Sequence, residues 1–197
     1  MILAGAGGHA LELYDLILEL GLGDSLEMYD QDTSKTLFKK KYSVHHELNT
    51  LTSSNFCLGV GTPKSRKALY EVFSNQGKRY KAIQSISSRI SSSAEVEGVD
   101  IFHHCFIGPE VSIGKGTLVN TGVQVHHECR VGAFSVINPG AFLLGAVQIG
   151  EGCSIGAHAT ILPGVKLGNG VNVGAGAVVI RDVKNGKTVV GVPGRVI

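Results

Sequence analysis

From Ile101 an aliphatic residue recurs at every sixth position: Ile107, Ile113, Val119, Val125, Val131, Ile137, Leu143, Ile149, Ile155, Ile161, Leu167, Val173 and Val179. If about half of residues are apolar, an unbroken run of this length has chance odds on the order of one in ten thousand. Four residues after each aliphatic stands a second register, from Cys105, Val111 and Thr117 through to Val183, in which every member is small or β-branched. Glycine directly follows the aliphatic in half of the hexads, at 108, 114, 132, 150, 156, 168 and 174. A tight corner with permissive backbone angles is the expected reason.

A chain with this pattern is expected to wind as a triangular solenoid. Each hexad supplies one short strand and one corner, three hexads close a coil, and inward side chains stack in columns eighteen residues apart. Successive coils then sit at the strand spacing of about 4.8 Å. Upstream, Ile90 and Val96 keep the spacing but slip by one residue before Ile101, as in an irregular capping coil. The solenoid is expected over about residues 86–184, inside a domain running from 85 to 197.

Composition agrees with a narrow, small-residue core, since the chain has 27 Gly, no Trp and only 6% aromatic residues among 197. Cys105, Cys129 and Cys153 all occupy the small register and Cys57 lies in an apolar run, so all four read as buried core thiols rather than metal or redox groups. With 18 Lys plus Arg against 16 Asp plus Glu the formal charge is +2, and no basic cluster is long enough to track nucleic acid. No apolar run reaches bilayer-spanning length, and Met1-Ile2-Leu3 enters a glycine turn with no charged leader. A cytoplasmic protein that is not integral to a membrane is expected.

Residues 1–84 lack the period of six and alternate strand with helix. Ile2 to Ala4 reads as a strand, Gly5 to Gly8 as a turn, and His9 to Leu20 as a helix. A second strand precedes Asp30, and a third, Phe56 to Val60, ends at Gly61-Thr62-Pro63, where Pro63 can open the next helix. This is a small Rossmann-like βαβ unit with a parallel sheet. Gly5-Ala6-Gly7-Gly8-His9-Ala10 fits G-x-G-x-x-G/A, whose glycines let phosphates approach a helix N-terminus. Asp30 follows at the end of the second strand, where an acid can reach a ribose hydroxyl. The unit is short for a complete dinucleotide fold, so a nucleotide-sugar is the expected ligand.

The chemistry points to His126-His127-Glu128-Cys129. Acyl transfer from a thioester needs a base for the nucleophile and a donor for the developing oxyanion. His127 is the third residue of its hexad, on the corner side of the strand. Eighteen residues on stands Gly145, which offers an unobstructed backbone N–H.

GAGGHA at the start, Asn120-Thr121-Gly122 leading to HHEC, Pro139-Gly140-Ala141, and Gly191-Val192-Pro193-Gly194-Arg195 near the end together resemble the bacterial sugar acetyltransferases. These include the UDP-4-amino-sugar N-acetyltransferases and sialic acid O-acetyltransferases of the hexapeptide-repeat acyltransferases. The resemblance implies a left-handed parallel β-helix that binds acetyl-CoA as acetyl donor without a metal, assembled as a homotrimer. It implies His127 as general base, Glu128 orienting or polarising it, and Gly145 as the amide facing the thioester carbonyl. Ala157 and Ala175 would supply backbone contacts to the pantetheine arm, and His9, with Gly7, Gly8, Asp30 and Gly61, would hold the sugar nucleotide. Val136 departs from the pattern, standing where several members carry a second histidine; Gln31 and Thr62 depart where a second acid and an asparagine are common.

The resulting expectation is N-acetylation of a nucleotide-linked amino sugar, with O-acetylation of a sugar hydroxyl as near competitor. A zinc hydratase on a β-helix would need a histidine pair five residues apart, and His103, His104, His126, His127 and His158 supply none. A non-catalytic scaffold would leave the glycine-turn domain without a purpose.

Overall fold

The computed structural model describes residues 1–197, in two compact units. One comprises Met1–Gly61 with Ser65–Ile83, the other Thr62–Lys64 with Gln84–Ile197. No helix in the chain is long and apolar enough to cross a membrane.

The N-terminal unit runs β1 (Ile2–Ala4), α1 (Gly8–Glu19), β2 (Glu27–Tyr29), β3 (Leu37–Phe38), β4 (Tyr42–His45), β5 (Asn55–Leu58), α2 (Pro63–Asn75) and β6 (Arg79–Tyr80). Strand order is β3-β4-β2-β1-β5-β6, and every pairing is parallel except β3 with β4. Ala10, Leu13, Leu16 and Ile17 turn one face of α1 into the core, and Pro63 opens α2. The β3–β4 hairpin was not legible in the sequence. Its turn places Lys39 and Lys40 at φ 48° and 55°, with none of the Asn-Gly or Asp-Gly chemistry that announces such turns. Because β1 pairs with β2 on one side and β5 on the other, the strand order reverses there. In an open parallel sheet, ligand crevices form at that reversal, beyond the C-terminal strand ends.

The second unit is the left-handed parallel β-helix. Two-residue strands stack into three faces. Face I carries Ile101, Val119, Ile137, Ile155 and Val173; face II carries Ile107, Val125, Leu143, Ile161 and Val179; face III carries Ile113, Val131, Ile149 and Leu167. All fourteen aliphatics and all fourteen members of the small register are buried. The mid-coil step is eighteen residues, as in Val119 against Ile137. It shortens at both ends, with Ile90 against Ile107 and Val173 against Val189. The solenoid therefore continues past residue 184 to a strand at Thr188–Val190, and Arg195–Val196 pairs antiparallel against its edge.

The corner glycines have a different cause from the one expected. None of those directly following an aliphatic has a positive φ; the left-handed residue lies two positions later, at 98, 104, 110, 116 and so on to 176, with φ between 55° and 72°. At 114, 132, 150, 156 and 168 glycine is needed because the next coil comes too close to admit a Cβ. A Cβ on Gly114 or Gly156 would stand 2.5 Å from the amide nitrogen of Ala133 or Ala175.

Polar members of the small register share one geometry. Cys105, Cys129 and Cys153 each place Sγ 3.1 Å from a carbonyl oxygen fifteen residues on, those of Asn120, Leu144 and Gly168. The Thr117 and Ser135 hydroxyls donate likewise to Gly132 and Gly150. Each ties down a corner peptide of the next coil from inside.

Candidate active site

His127 and Glu128 project from the corner between faces II and III, with side chains 58% and 65% exposed. Nδ1 of His127 lies 2.9 Å from Oε2 of Glu128. A carboxylate there accepts from Nδ1–H and leaves Nε2 as the free basic nitrogen. The eighteen-residue spacing brings the ring against Gly145: a Cβ at 145 would stand 2.5 Å from His127 Cε1 and 2.6 Å from Nε2. The bond from the Ala146 N–H to the His127 carbonyl, 2.9 Å, locks the two corners in register. His126 turns to face II instead, its ring 5.8 Å from that of Phe106.

The ladder does not use the amide at the third position of a hexad, which is why proline is accepted at 109, 139 and 163. The amides of Gly145, Ala157 and Ala175 all occupy this position and find no acceptor within the chain. They do not share a corner, however. Gly145 stands between faces II and III with His127, whereas Ala157 and Ala175 stand between faces I and II. Val136 is buried in its face I strand.

A groove of about 350 Å³ lies on the face III side of this corner, lined by Glu110, Glu128, Arg130, Ala146 and Gln148. Sequence reasoning missed Glu110, Arg130 and Gln148. Their signal was the same spacing of eighteen, which stacks Glu110, Glu128 and Ala146 in one column and Arg130 and Gln148 in another.

In the N-terminal unit the predicted ligand residues gather at the strand-order reversal. Gly5, at φ 108°, and Gly59 are wedged together, since a Cβ on either would lie 2.8 Å from the other's carbonyl oxygen. Gly7 and Gly8 open α1 with clear space where a side chain would be and no side-chain cap. Such a bare helix N-terminus favours an anion. His9 packs beside Gly61, where a Cβ would sit 3.6 Å from its ring, and its Nδ1 is 3.5 Å from the Glu12 carboxylate.

Asp30 is engaged within the chain. Oδ2 accepts from the Ala6 N–H at 2.7 Å and from Lys35 Nζ at 2.8 Å, and Oδ1 accepts from the Asp32 N–H at 2.9 Å. Burial pushes this carboxyl up, but the bonds from Lys35, Asp32 and Ala6 outweigh it and hold the group below the ordinary carboxylate range. The acid thereby fixes the glycine turn.

Residues 1–73 match the family model described as the PglD N-terminal domain, and residues 146–181 match that of the bacterial transferase hexapeptide. A search of curated protein sequences gives no significant match. Among solved structures, the acetyltransferase domain of PglB from Neisseria gonorrhoeae is 28% identical with a TM-score of 0.91, over 100% of this chain and 98% of that one. PerB from Caulobacter crescentus, solved with CoA and GDP-perosamine, is also 28% identical at a TM-score of 0.91, over 100% of this chain and 96% of that one. WeeI from Acinetobacter baumannii, at 22% identity and a TM-score of 0.73 over 100% of this chain and 98% of that one, shares the fold. The chain thus joins a PglD-type N-terminal domain to a bacterial-transferase hexapeptide solenoid, the architecture of the sugar acetyltransferases to which it is similar over its whole length.

Proposed function

We propose that this chain is an acetyl-CoA-dependent N-acetyltransferase acting on a nucleotide-linked amino sugar. The observation that carries the proposal is the His127 imidazole lying on Gly145, with Nδ1 held by Glu128 and the Gly145 amide unused by the chain. Acetyl-CoA, when bound, supplies the acyl group as a thioester. The corner fits it, because residue 145 has no side chain to obstruct its N–H and a carbonyl oxygen can approach directly.

His127 takes the proton from the attacking amine at Nε2, while Glu128 at Nδ1 keeps the tautomer and stabilises the imidazolium that results. The Gly145 N–H donates to the oxygen that gains negative charge as the amine attacks, and the His127 imidazolium returns its proton to the coenzyme A thiolate released when the carbon–sulfur bond breaks. In the N-terminal unit, Gly7, Gly8, His9 and Gly61 hold the sugar nucleotide at the bare start of α1. Asp30, whose expected ribose contact gives way to its bonds from Ala6, Asp32 and Lys35, contributes by fixing the turn. The N-acetylating PerB, whose structure holds CoA and GDP-perosamine, supports both the donor and the acceptor class.

The two-corner arrangement of the amides supports a homotrimer. Ala157 and Ala175 lie one face away from Gly145, so a pantetheine arm touching all three is best met by Gly145 of one copy and the other corner of a second. Face II, between those corners, exposes Phe106 and Ile180 at 40% and 36%, an apolar surface for a neighbour to cover. A cytoplasmic location would supply both acetyl-CoA and nucleotide sugar.

The deciding experiment is acetyl transfer against a panel of GDP- and UDP-linked amino sugars, with products read by mass spectrometry and treated with hydroxylamine. An acetamide resists hydroxylamine and supports the reading. A labile ester would instead assign O-acetylation, and no transfer to any acceptor would overturn the enzyme reading.

A further inference from the structure

Three cysteines make the same inward bond at three places in the solenoid, and one of them acts on the peptide that matters for catalysis. In a trans peptide the carbonyl and the following N–H point in opposite directions, and Val192–Pro193 is the chain's one cis bond. A buried donor that draws a corner carbonyl inward therefore turns the next N–H outward. For Cys129 the carbonyl is that of Leu144, so the N–H turned outward is that of Gly145.

At the other tethered corners the outward N–H is mostly capped by an asparagine. Asn120 Oδ1 takes that of Thr121 at 2.7 Å, Asn169 Oδ1 that of Glu151 at 2.9 Å, and Asn185 Oδ1 that of Asn169 at 3.0 Å. The amides of Ala133 and Gly145 have no such cap, and of these two Gly145 has an imidazole against it. Burial pushes the Cys129 thiol up from its ordinary range, which keeps it a protonated S–H donor at neutral pH.

We propose that Cys129 is a positioning residue, whose buried S–H holds the Leu144–Gly145 peptide with its N–H facing the His127 side of the corner. The inference rests on the reading of Gly145 as oxyanion donor. It adds that the donor's direction is set from inside the coil, and that a hydrogen bond to the peptide carbonyl also polarises the N–H on its other side.

Cys105 and Cys153 are the matched controls, with the same burial and the same 3.1 Å bond at corners away from His127. Cys129→Val is the decisive variant, because Val already fills this register at 123 and 147 and the coil accommodates it. Replacing the thiol by Val should lower kcat about tenfold with KM for acetyl-CoA moving less than about twofold, the split left by loss of an interaction made only in the transition state. Cys129→Ser keeps a donor and should recover kcat to within about threefold of the original. Cys105→Val and Cys153→Val should keep kcat.

A second readout needs neither acetyl-CoA nor turnover. In glycine-labelled protein the Gly145 amide resonance should move in Cys129→Val and return toward its place in Cys129→Ser. A Cys129→Val enzyme with the kcat of the Cys105 and Cys153 variants, or an unmoved Gly145 resonance, overturns the inference while leaving the transferase reading intact. An original enzyme inert toward every acceptor would overturn the transferase reading, and the resonance would still decide whether Cys129 orients the peptide.

Discussion

Between Ile101 and Val179 the inward-facing core of the solenoid draws every member from two six-residue registers and contains no aromatic ring, Phe102, Leu118, Phe134 and Val136 being buried outside it. The N-terminal unit builds its core the other way. Tyr29, Phe56, Phe73 and Tyr80 pack in ring contacts of 5.1 to 5.5 Å. Nearby the fully buried Arg66 guanidinium donates to the carbonyls of Leu58 and Val60 and to the Tyr80 hydroxyl. In the solenoid any one residue has many equivalents, so substitution is felt locally whereas phase is felt everywhere. In the N-terminal unit each contact is unique, so single residues matter and loop length does not. The same contrast separates the two candidate sites. The candidate catalytic corner is a departure from a repeat, and the glycine turn is a bespoke arrangement held by a carboxylate.

The largest effect expected from this contrast is on folding. Inserting one residue after Gly132 turns every later inward side chain out of phase with the coils before it, as a one-residue slip does in any strand with one buried face. Cooperative thermal unfolding should be lost. The same insertion between Lys39 and Lys40, in an exposed hairpin turn, should shift the melting temperature by only about 2–4 °C, because surface loops lengthen cheaply. A cooperative melt for the Gly132 insertion would show that phase is not what holds the solenoid.

Next in size is the catalytic corner. His127→Ala should lower kcat by about 10² to 10⁴, the usual loss of a general base, with acetyl-CoA still binding by calorimetry. His126→Ala, whose ring faces Phe106 rather than Gly145, should do much less. Equal damage from the two would break the distinction drawn between face and corner.

The glycine turn should respond more mildly and in a different constant. His9→Ala is expected to weaken sugar-nucleotide affinity about ten- to a hundred-fold, one lost hydrogen bond to a charged partner, without changing acetyl-CoA affinity. Loss of thermal stability with normal sugar-nucleotide binding in the folded variant would reassign His9 to structure and move the acceptor toward a free sugar.

The smallest effect is the pH dependence that Asp30 gives its unit. Its folded pKa lies below the unfolded value, so its contribution to stability is complete above the unfolded value of about 3.9 and fades as pH falls through the folded one. Between pH 7 and pH 3 the melting temperature of the original protein should therefore fall further than that of Asp30→Asn, by about 2–4 °C. Parallel curves would mean that the bonds to Ala6 and Lys35 contribute nothing net.

Much of the candidate site's geometry was legible because the repeat converts sequence distance into spatial position. Once the coil step is eighteen, His127 must lie against Gly145, and Glu110 and Arg130 could have been placed beside them by the same counting. The same arithmetic separates Ala157 from Gly145, since twelve residues is two faces rather than one coil. In the N-terminal unit only the strand, glycine turn and helix were legible, because the signals that mark them are local. Asp30 bonds to Ala6 across twenty-four residues, and nothing periodic relates them.

By itself the sequence determined the two inward registers, the triangular coil and the pairing of the imidazole with a bare glycine, because each follows from side-chain volume repeated at a constant interval. Only the tertiary structure decided which corner residue adopts the left-handed angle, and that glycine follows the aliphatic to admit the next coil. It also decided that Asp30 is spent on the turn and that a thiol tethers the Leu144 carbonyl. These depend on how closely two backbones approach and on which hydrogen-bonding groups that approach leaves facing one another.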